Sequence, residues 1–104
     1  MFIARVTGSV VATQKAASMR GHKLLVVEPY RLEEKQRKGL VTTGRTFIAV
    51  DTLGAGQGDF VLVSQGSSAR LIPETEQLPI DAVVIGIVDS VHIEKTSVYS
   101  RNDS

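Results

Sequence analysis

The sequence predicts an all-β fold, a small barrel of five antiparallel strands with one or two short helical turns. Apolar and polar residues alternate at a period of two in several segments, and helical periodicity is scarce. Turn signals rich in glycine or proline recur about every ten residues, as in small barrels. The chain has 104 residues, 42% of them apolar and 22% charged, which predicts one globular domain over residues 1–104. Barrel closure suits so small a sheet because it removes exposed strand edges.

The first two strands are predicted at residues 2–13 and 23–30. In the first, small and apolar residues occupy the even positions, the pattern of a half-buried strand. In the second, residues 24–27 are apolar on both faces, as in a central strand or one covered by a neighbouring subunit. Pro29 is expected to end this strand or to place it at an edge, since proline lacks the amide hydrogen. A short helical turn is expected at residues 16–20.

Two further strands are predicted at residues 46–51 and 59–64, on either side of the glycine-dense segment 52–58. Together they are expected to form a hairpin with a long tip. A second helical turn is expected at residues 67–72, where Pro73 would stop it. The charged segment 31–38 is interpreted as a solvated hairpin loop.

The longest strand is predicted at residues 81–94. One face would carry five apolar residues, Val83, Ile85, Ile87, Val91 and Ile93. Gly86 indicates a bulge or a close backbone contact. Residues 95–104 are expected to add an edge strand through 96–100 to a neighbour, or to fray as a tail. The whole pattern predicts an OB-like barrel with an extra hairpin or edge strand, and its three phenylalanines are expected to face the core.

Charge and composition argue against several partners. Twelve Lys plus Arg against eleven Asp plus Glu give a net charge of +1, too near neutral for unspecific attraction to nucleic acid or an anionic membrane. No apolar run approaches the roughly 20 residues of a membrane-spanning helix, and we expect a cytoplasmic protein. The chain has no cysteine to stabilise its small core through disulfides or thiolate-bound metal. Oligomerisation is the remaining way to bury more surface.

The residues predict no catalytic, cofactor or metal site. His22 and His92 have no ligand spacing, and residues 66–69 do not form a nucleophile elbow. The glycines of segment 51–59 are followed by a strand, whereas a phosphate-binding loop needs a following helix. These glycines are expected to take positive φ or to let another backbone, such as that of a symmetry mate, approach closely.

Short motifs occur in a characteristic order along almost the whole chain. They are Ala4-Arg5-Val6 with Gly8, Val11-Ala12-Thr13-Gln14-Lys15, Gly21 with Lys23-Leu24-Leu25-Val26-Val27, Ala49-Val50-Asp51, Gly54-Ala55-Gly56 with Gly58-Asp59, Val61-Leu62-Val63, Gly66-Ser67-Ser68-Ala69-Arg70, Pro79-Ile80-Asp81-Ala82 and Ile85-Gly86-Ile87-Val88-Asp89. In this order the motifs resemble the EutN/CcmL family of bacterial microcompartment and carboxysome vertex proteins.

The resemblance implies an OB-like protomer that assembles as a homopentamer and caps the five-fold vertices of a polyhedral shell in the cytoplasm. Its partners would be further copies of itself and the hexagonal shell proteins that tile the facets, with no enzymatic activity, cofactor, nucleic acid or membrane. Five-fold symmetry requires two different patches on each subunit. The candidate residues for the subunit interface or central pore are Asp51, Gly54, Ala55, Gly56, Gly58, Ser67, Ser68 and Arg70, and Arg70 could pair with Asp51 or Asp81 across subunits.

Single-stranded nucleic-acid binding remains an alternative, because OB-like barrels often serve that purpose. Such barrels need a basic groove and aromatic platforms on which bases stack. The chain offers only five aromatic residues, Phe2, Tyr30, Phe47, Phe60 and Tyr99. Because the three phenylalanines are expected to face the core, the aromatic residues argue against this alternative.

Overall fold

The computed structural model describes residues 1–12, 17–19, 21–33, 39–66, 69, 71, 73 and 80–101. These residues form eight β-strands and a short 3-10 helix at Ala17–Met19, within the first helical turn expected from the sequence. The strands are β1 (Phe2–Val10), β2 (Lys23–Leu32), β3 (Leu40–Thr42), β4 (Phe47–Asp51), β5 (Phe60–Gln65), β6 (Ala82–Ile87), β7 (Ser90–Ile93) and β8 (Thr96–Ser100).

Five of the strands close into a barrel, which confirms the predicted fold class. The strand order is β1-β5-β6-β4-β2, and β2 returns to pair with β1. Four of these pairings are antiparallel and the β4–β6 pairing is parallel, so the barrel is mixed. The return of β6 beside β4 gives the Greek-key connection of OB folds.

The barrel interior is filled by small aliphatic side chains, as the period-two pattern predicts. The fully enclosed members include Val6 on β1, Val27 on β2 and Val61 on β5. Phe2 and Phe47 pack at the edge of this core with ring centroids 5.5 Å apart. A second cluster, built on Val50, Ala69 and Val83, is separate from this core.

Strand β2 continues through Pro29 to Leu32, so the expected end of the strand at Pro29 is wrong. The physical reason is a change of partner along one edge of β2. That edge pairs with β4 as far as Val27 and with β3 from Tyr30 onward. The Pro29 carbonyl accepts a hydrogen bond from the Thr43 amide on this side. In an antiparallel strand the N and O atoms of one residue point to the same edge, so the nitrogen of Pro29 faces the edge that β3 and β4 share. Pro29 lies between the residues that pair with β4 and those that pair with β3, and its missing amide hydrogen therefore costs no strand pairing.

The expected hairpin between residues 46–51 and 59–64 is also wrong. Strands β4 and β5 form there, but β6 lies between them in the sheet. The sequence pattern consists of two strands joined by a glycine-rich segment. This pattern is equally compatible with a hairpin and with a connection that crosses the end of the barrel. The choice is made by β6, which comes almost twenty residues later in the chain.

The predicted strand 81–94 is divided into β6 and β7. The Val88 amide donates to the Phe60 carbonyl, and the chain then leaves the barrel. The bulge expected near Gly86 is confirmed, since Leu62 pairs with Gly86 while Val63 pairs with Val84. The bulge reverses the alternation, so Ile87 packs on the inner core whereas Val83 and Ile85 belong to the outer cluster.

The last two described strands form the hairpin β7–β8, in which the predicted strand 96–100 pairs with β7 of its own chain. The Phe60 ring packs against Tyr30 and Tyr99, with centroid distances of 5.1 and 4.5 Å. Phe60 alternates with the buried Val61 and therefore lies on the outer surface, contrary to the expectation that all three phenylalanines face the core. Strands β2 and β3 confirm the hairpin expected around residues 31–38, of which 34–38 lie outside the described residues.

Candidate subunit-contact site

The glycine-rich connection 52–59, hereafter the glycine loop, joins the end of β4 to the start of β5. Gly54 and Gly58 have φ values of 85° and 93°, as the glycine content predicts. Backbones in this region are strained for any residue with a Cβ, which explains why glycine occupies both positions. Leu53 at the tip of the loop is 49% exposed.

Asp51 holds the first half of the glycine loop. Its carboxylate is buried and accepts hydrogen bonds from the amides of Leu53 (2.9 Å) and Ala55 (2.8 Å). Lys23 Nζ lies 3.9 Å from the same carboxylate and donates to the Ala55 carbonyl at 2.8 Å. Ala55 itself is fully buried in the inner core. The first half of the loop therefore packs against the barrel, with Ala55 in the inner core.

Asp59 holds the second half of the glycine loop. Its carboxylate accepts from the Gly56 amide at 2.9 Å, and the Asp59 amide donates to the Gly56 carbonyl at 3.0 Å. The loop is also joined to β1, because Val6 donates to the Asp59 carbonyl and accepts from the Gly58 amide. A glycine-rich loop with this many internal hydrogen bonds is ordered before any partner arrives, which lowers the entropy cost of a contact.

The second predicted segment begins at the other end of β5, about 20 Å from the glycine loop at the usual rise of a strand. Gly66 has a φ of 68°, and its amide donates to the Asp81 carbonyl at 2.7 Å. Ala69 is fully buried in the outer cluster with Val50 and Val83. Ser67, Ser68 and Arg70 lie outside the described residues, as do most of the helical turn predicted at 67–72 and the pairing of Arg70 with an acid.

The structure therefore divides the five predicted site residues that it describes into two groups. Asp51 and Ala55 are buried within the protomer, where they shape the loop. Gly54 is exposed, and Gly56 and Gly58 are partly exposed. The loop-holding roles of Asp59 and Lys23 were not predicted, although acidic residues at both ends of a glycine run are a recognisable signal for carboxylates that bind loop amides.

No group of three or more potential metal-binding side chains occurs within the described part of the chain. Over those same ranges, the structure contains no helix long and apolar enough to cross a membrane.

Comparison with known proteins shows similarity to one family over most of the chain. The profile of the EutN/CcmL family, described as "Ethanolamine utilisation protein EutN/carboxysome", matches residues 1–89. A carboxysome shell vertex protein CcmL of Nostoc sp. is 41% identical over 103 residues, covering 99% of this chain and 97% of the relative. The bacterial microcompartment shell vertex protein GrpN of Rhodospirillum rubrum is 50% identical over 91 residues, covering 88% and 96% respectively.

Solved structures share the fold as well as the sequence. The structure of Gloeobacter violaceus CcmL superposes with a TM-score of 0.85 at 40% identity, covering 99% of this chain and all of that one. A structure described as the GrpN pentameric microcompartment shell protein has a TM-score of 0.71 at 47% identity, covering 89% of this chain and 98% of that one. The barrel, the glycine loop and these matches together establish that the chain belongs to the EutN/CcmL family.

Proposed function

We propose that this chain is a structural shell protein whose homopentamer caps the five-fold vertices of a polyhedral bacterial microcompartment in the cytoplasm. The observation that carries the proposal is its 47% identity, over 98% of the relative, to a shell protein described as pentameric. A sheet of six-fold tiles stays flat, and units of five-fold symmetry introduce the curvature that closes it. The role is one of geometry, without enzymatic chemistry, cofactor, nucleic acid or membrane.

Two exposed apolar side chains support subunit contacts. A ring of five needs two different patches that meet at each interface. Leu53 at the tip of the glycine loop and Ile48 on the outer face of β4 are each 49% exposed. Ile48 lies opposite Val26 on β2, so it extends an apolar strip on the outer face of the barrel. We assign the glycine loop, with Asp51 and Ala55 as its internal supports, to one patch, and the segment 66–70 stays a proposed contact.

The experiment that tests the proposal is the native mass of the purified protein over a range of concentrations. A stable mass of five protomers is expected, followed by closed shells when the pentamer is mixed with hexagonal shell proteins. A monomer at every concentration would refute the proposal and would direct attention to oligonucleotide binding.

The glycine loop is tested by Gly56→Leu. A Cβ at Gly56 would lie 3.8 Å from the Asp59 carboxylate, an ordinary contact, and φ at this position is not in the positive range. The backbone at Gly56 therefore accepts a Cβ without strain, whereas a neighbouring subunit packed on the loop would be displaced by the leucine side chain. We expect folded protomers that fail to form the ring.

The matched control is Gly39→Leu in the β2–β3 hairpin, where a Cβ meets nothing within 4 Å in the described structure. This variant should assemble normally. A fully assembled Gly56→Leu ring would remove the glycine loop from the interface and leave the pentamer itself in place.

A further inference from the structure

A cavity of about 510 Å³ opens at the barrel end opposite the glycine loop. Its position follows from strand alternation, because inward-facing positions continue past the core to the mouth of the barrel. Phe2 begins the inward row of β1, Gln65 ends that of β5, and Phe47 begins that of β4. Arg31 continues the row of Val27 and Pro29, and Arg45 precedes Phe47 by two residues. All five residues line the cavity.

Aromatic rings and guanidinium groups thus meet in one place. The Phe2 and Phe47 rings, 5.5 Å apart, line the cavity and pack against the aliphatic core, whereas the Tyr30 ring packs on Phe60 at the outer surface. Arg31 and Arg45 are exposed residues. The described lining combines Phe2, Pro29 and Phe47 with polar residues on the β2–β3 side and at Gln65, so the cavity offers both apolar and polar contacts. Its volume is within the usual range for a small-molecule site.

Both cations lack a counter-charge within the described structure. Neither guanidinium forms an ion pair or hydrogen bond with another described residue. None of the described residues that line the cavity is acidic. Glu28 is near, but its carboxylate accepts a hydrogen bond from Thr42 and it lies opposite Arg5 on the neighbouring strand. The described residues that line the mouth therefore include two positive charges, Arg31 and Arg45, and no negative charge.

We propose that this mouth is a binding site for organic anions with a flat apolar body, such as aromatic carboxylates, sulfonates or phosphate esters. The flat body packs on Phe2 and Phe47. The anionic group accepts charge-assisted hydrogen bonds from Arg31 and Arg45, whose planar guanidinium groups suit two-oxygen acceptors. The site belongs to the single protomer, so it does not depend on the proposed ring.

The test uses the full chain in its native assembly and the fluorescent probe 8-anilinonaphthalene-1-sulfonate. We expect saturable binding that weakens as sodium chloride is added. The double variant Arg31→Gln/Arg45→Gln should raise the dissociation constant at least about 10-fold, the loss expected from two charge-assisted contacts. The neutral analogue N-phenyl-1-naphthylamine should bind both proteins equally, within about 2-fold.

The matched control is Arg5→Gln, which removes an exposed arginine on the outer face of β1, away from the cavity. It should change the dissociation constant by less than about 2-fold. Amide chemical-shift changes on adding the sulfonate should be centred on Arg31, Thr42 and Arg45. Equal losses in the control and the double variant, or shifts centred on the glycine loop, would overturn the proposal. Native mass, measured in parallel, reports on the ring separately.

Discussion

At the scale of single residues, Asp51 is a buried polar side chain that orders the glycine loop. Its carboxylate is buried at the end of β4, beside the aliphatic core, and receives the amides of Leu53 and Ala55. Ala55 is fully buried, so its amide has no access to water if the acceptor is removed. An unsatisfied buried donor costs more than the hydrogen bond contributes.

We expect Asp51→Ala to lower the free energy of unfolding by about 2–4 kcal/mol, because it leaves two loop amides without an acceptor. Urea unfolding at matched protomer concentration measures the change. Asp89→Ala is the control, since that side chain is 85% exposed and should contribute little. A loss no larger than that of the control would show that the loop amides find other acceptors.

At the scale of elements, the β7–β8 hairpin is attached to the barrel by a few side chains. Tyr99 packs on Phe60 with centroids 4.5 Å apart. Arg101 lies 3.6 Å from Asp59, whose side chain is half-buried, and 3.8 Å from Asp89, whose side chain is exposed and screened by water. The hairpin forms its own two-stranded sheet, and such a sheet has little stability unless it packs on something else.

Tyr99→Ala should therefore release the hairpin while leaving the barrel folded. Hydrogen exchange of the amides in residues 90–101 should accelerate about 3- to 10-fold, the equivalent of one aromatic pair. Tyr99→Phe retains the ring contact and should exchange like the original protein. Unchanged exchange in the alanine variant would mean that the Tyr99–Phe60 contact does not hold the hairpin on the barrel.

At the scale of the whole molecule, the core is small and some large apolar side chains remain exposed on the surface. The inner cluster consists of alanine, valine and one leucine, with two phenylalanines and an isoleucine packed at its edge. Small domains bury a low fraction of their surface and gain most from association. The exposed Ile48 and Leu53 are available for that purpose.

If the ring forms, its thermal stability must depend on protein concentration, because unfolding releases five chains. A hundredfold dilution should lower the melting temperature by about 10 °C for a domain of this size. Scanning calorimetry over that range measures the shift. The Gly56→Leu variant should melt at one temperature throughout, and a concentration-independent melting temperature in the original protein would contradict a reversible pentamer.

The sequence by itself determined the places of β1, β2, β4 and β5, the bulge near Gly86 and the positive φ of Gly54 and Gly58, because side-chain alternation and the absence of a Cβ are local properties. It did not show β3 as a strand, and it did not separate β6 from β7. Its ordered motifs also determined the family. The tertiary structure decided what depends on distant partners: β6 separates β4 from β5, Pro29 lies between two neighbours of β2, and the bulge turns Ile87 inward. It likewise brought Arg31 and Arg45 to one barrel mouth. Which strands pair in a closed sheet depends on residues far apart in the sequence, and the alternation of residues within each strand does not specify it.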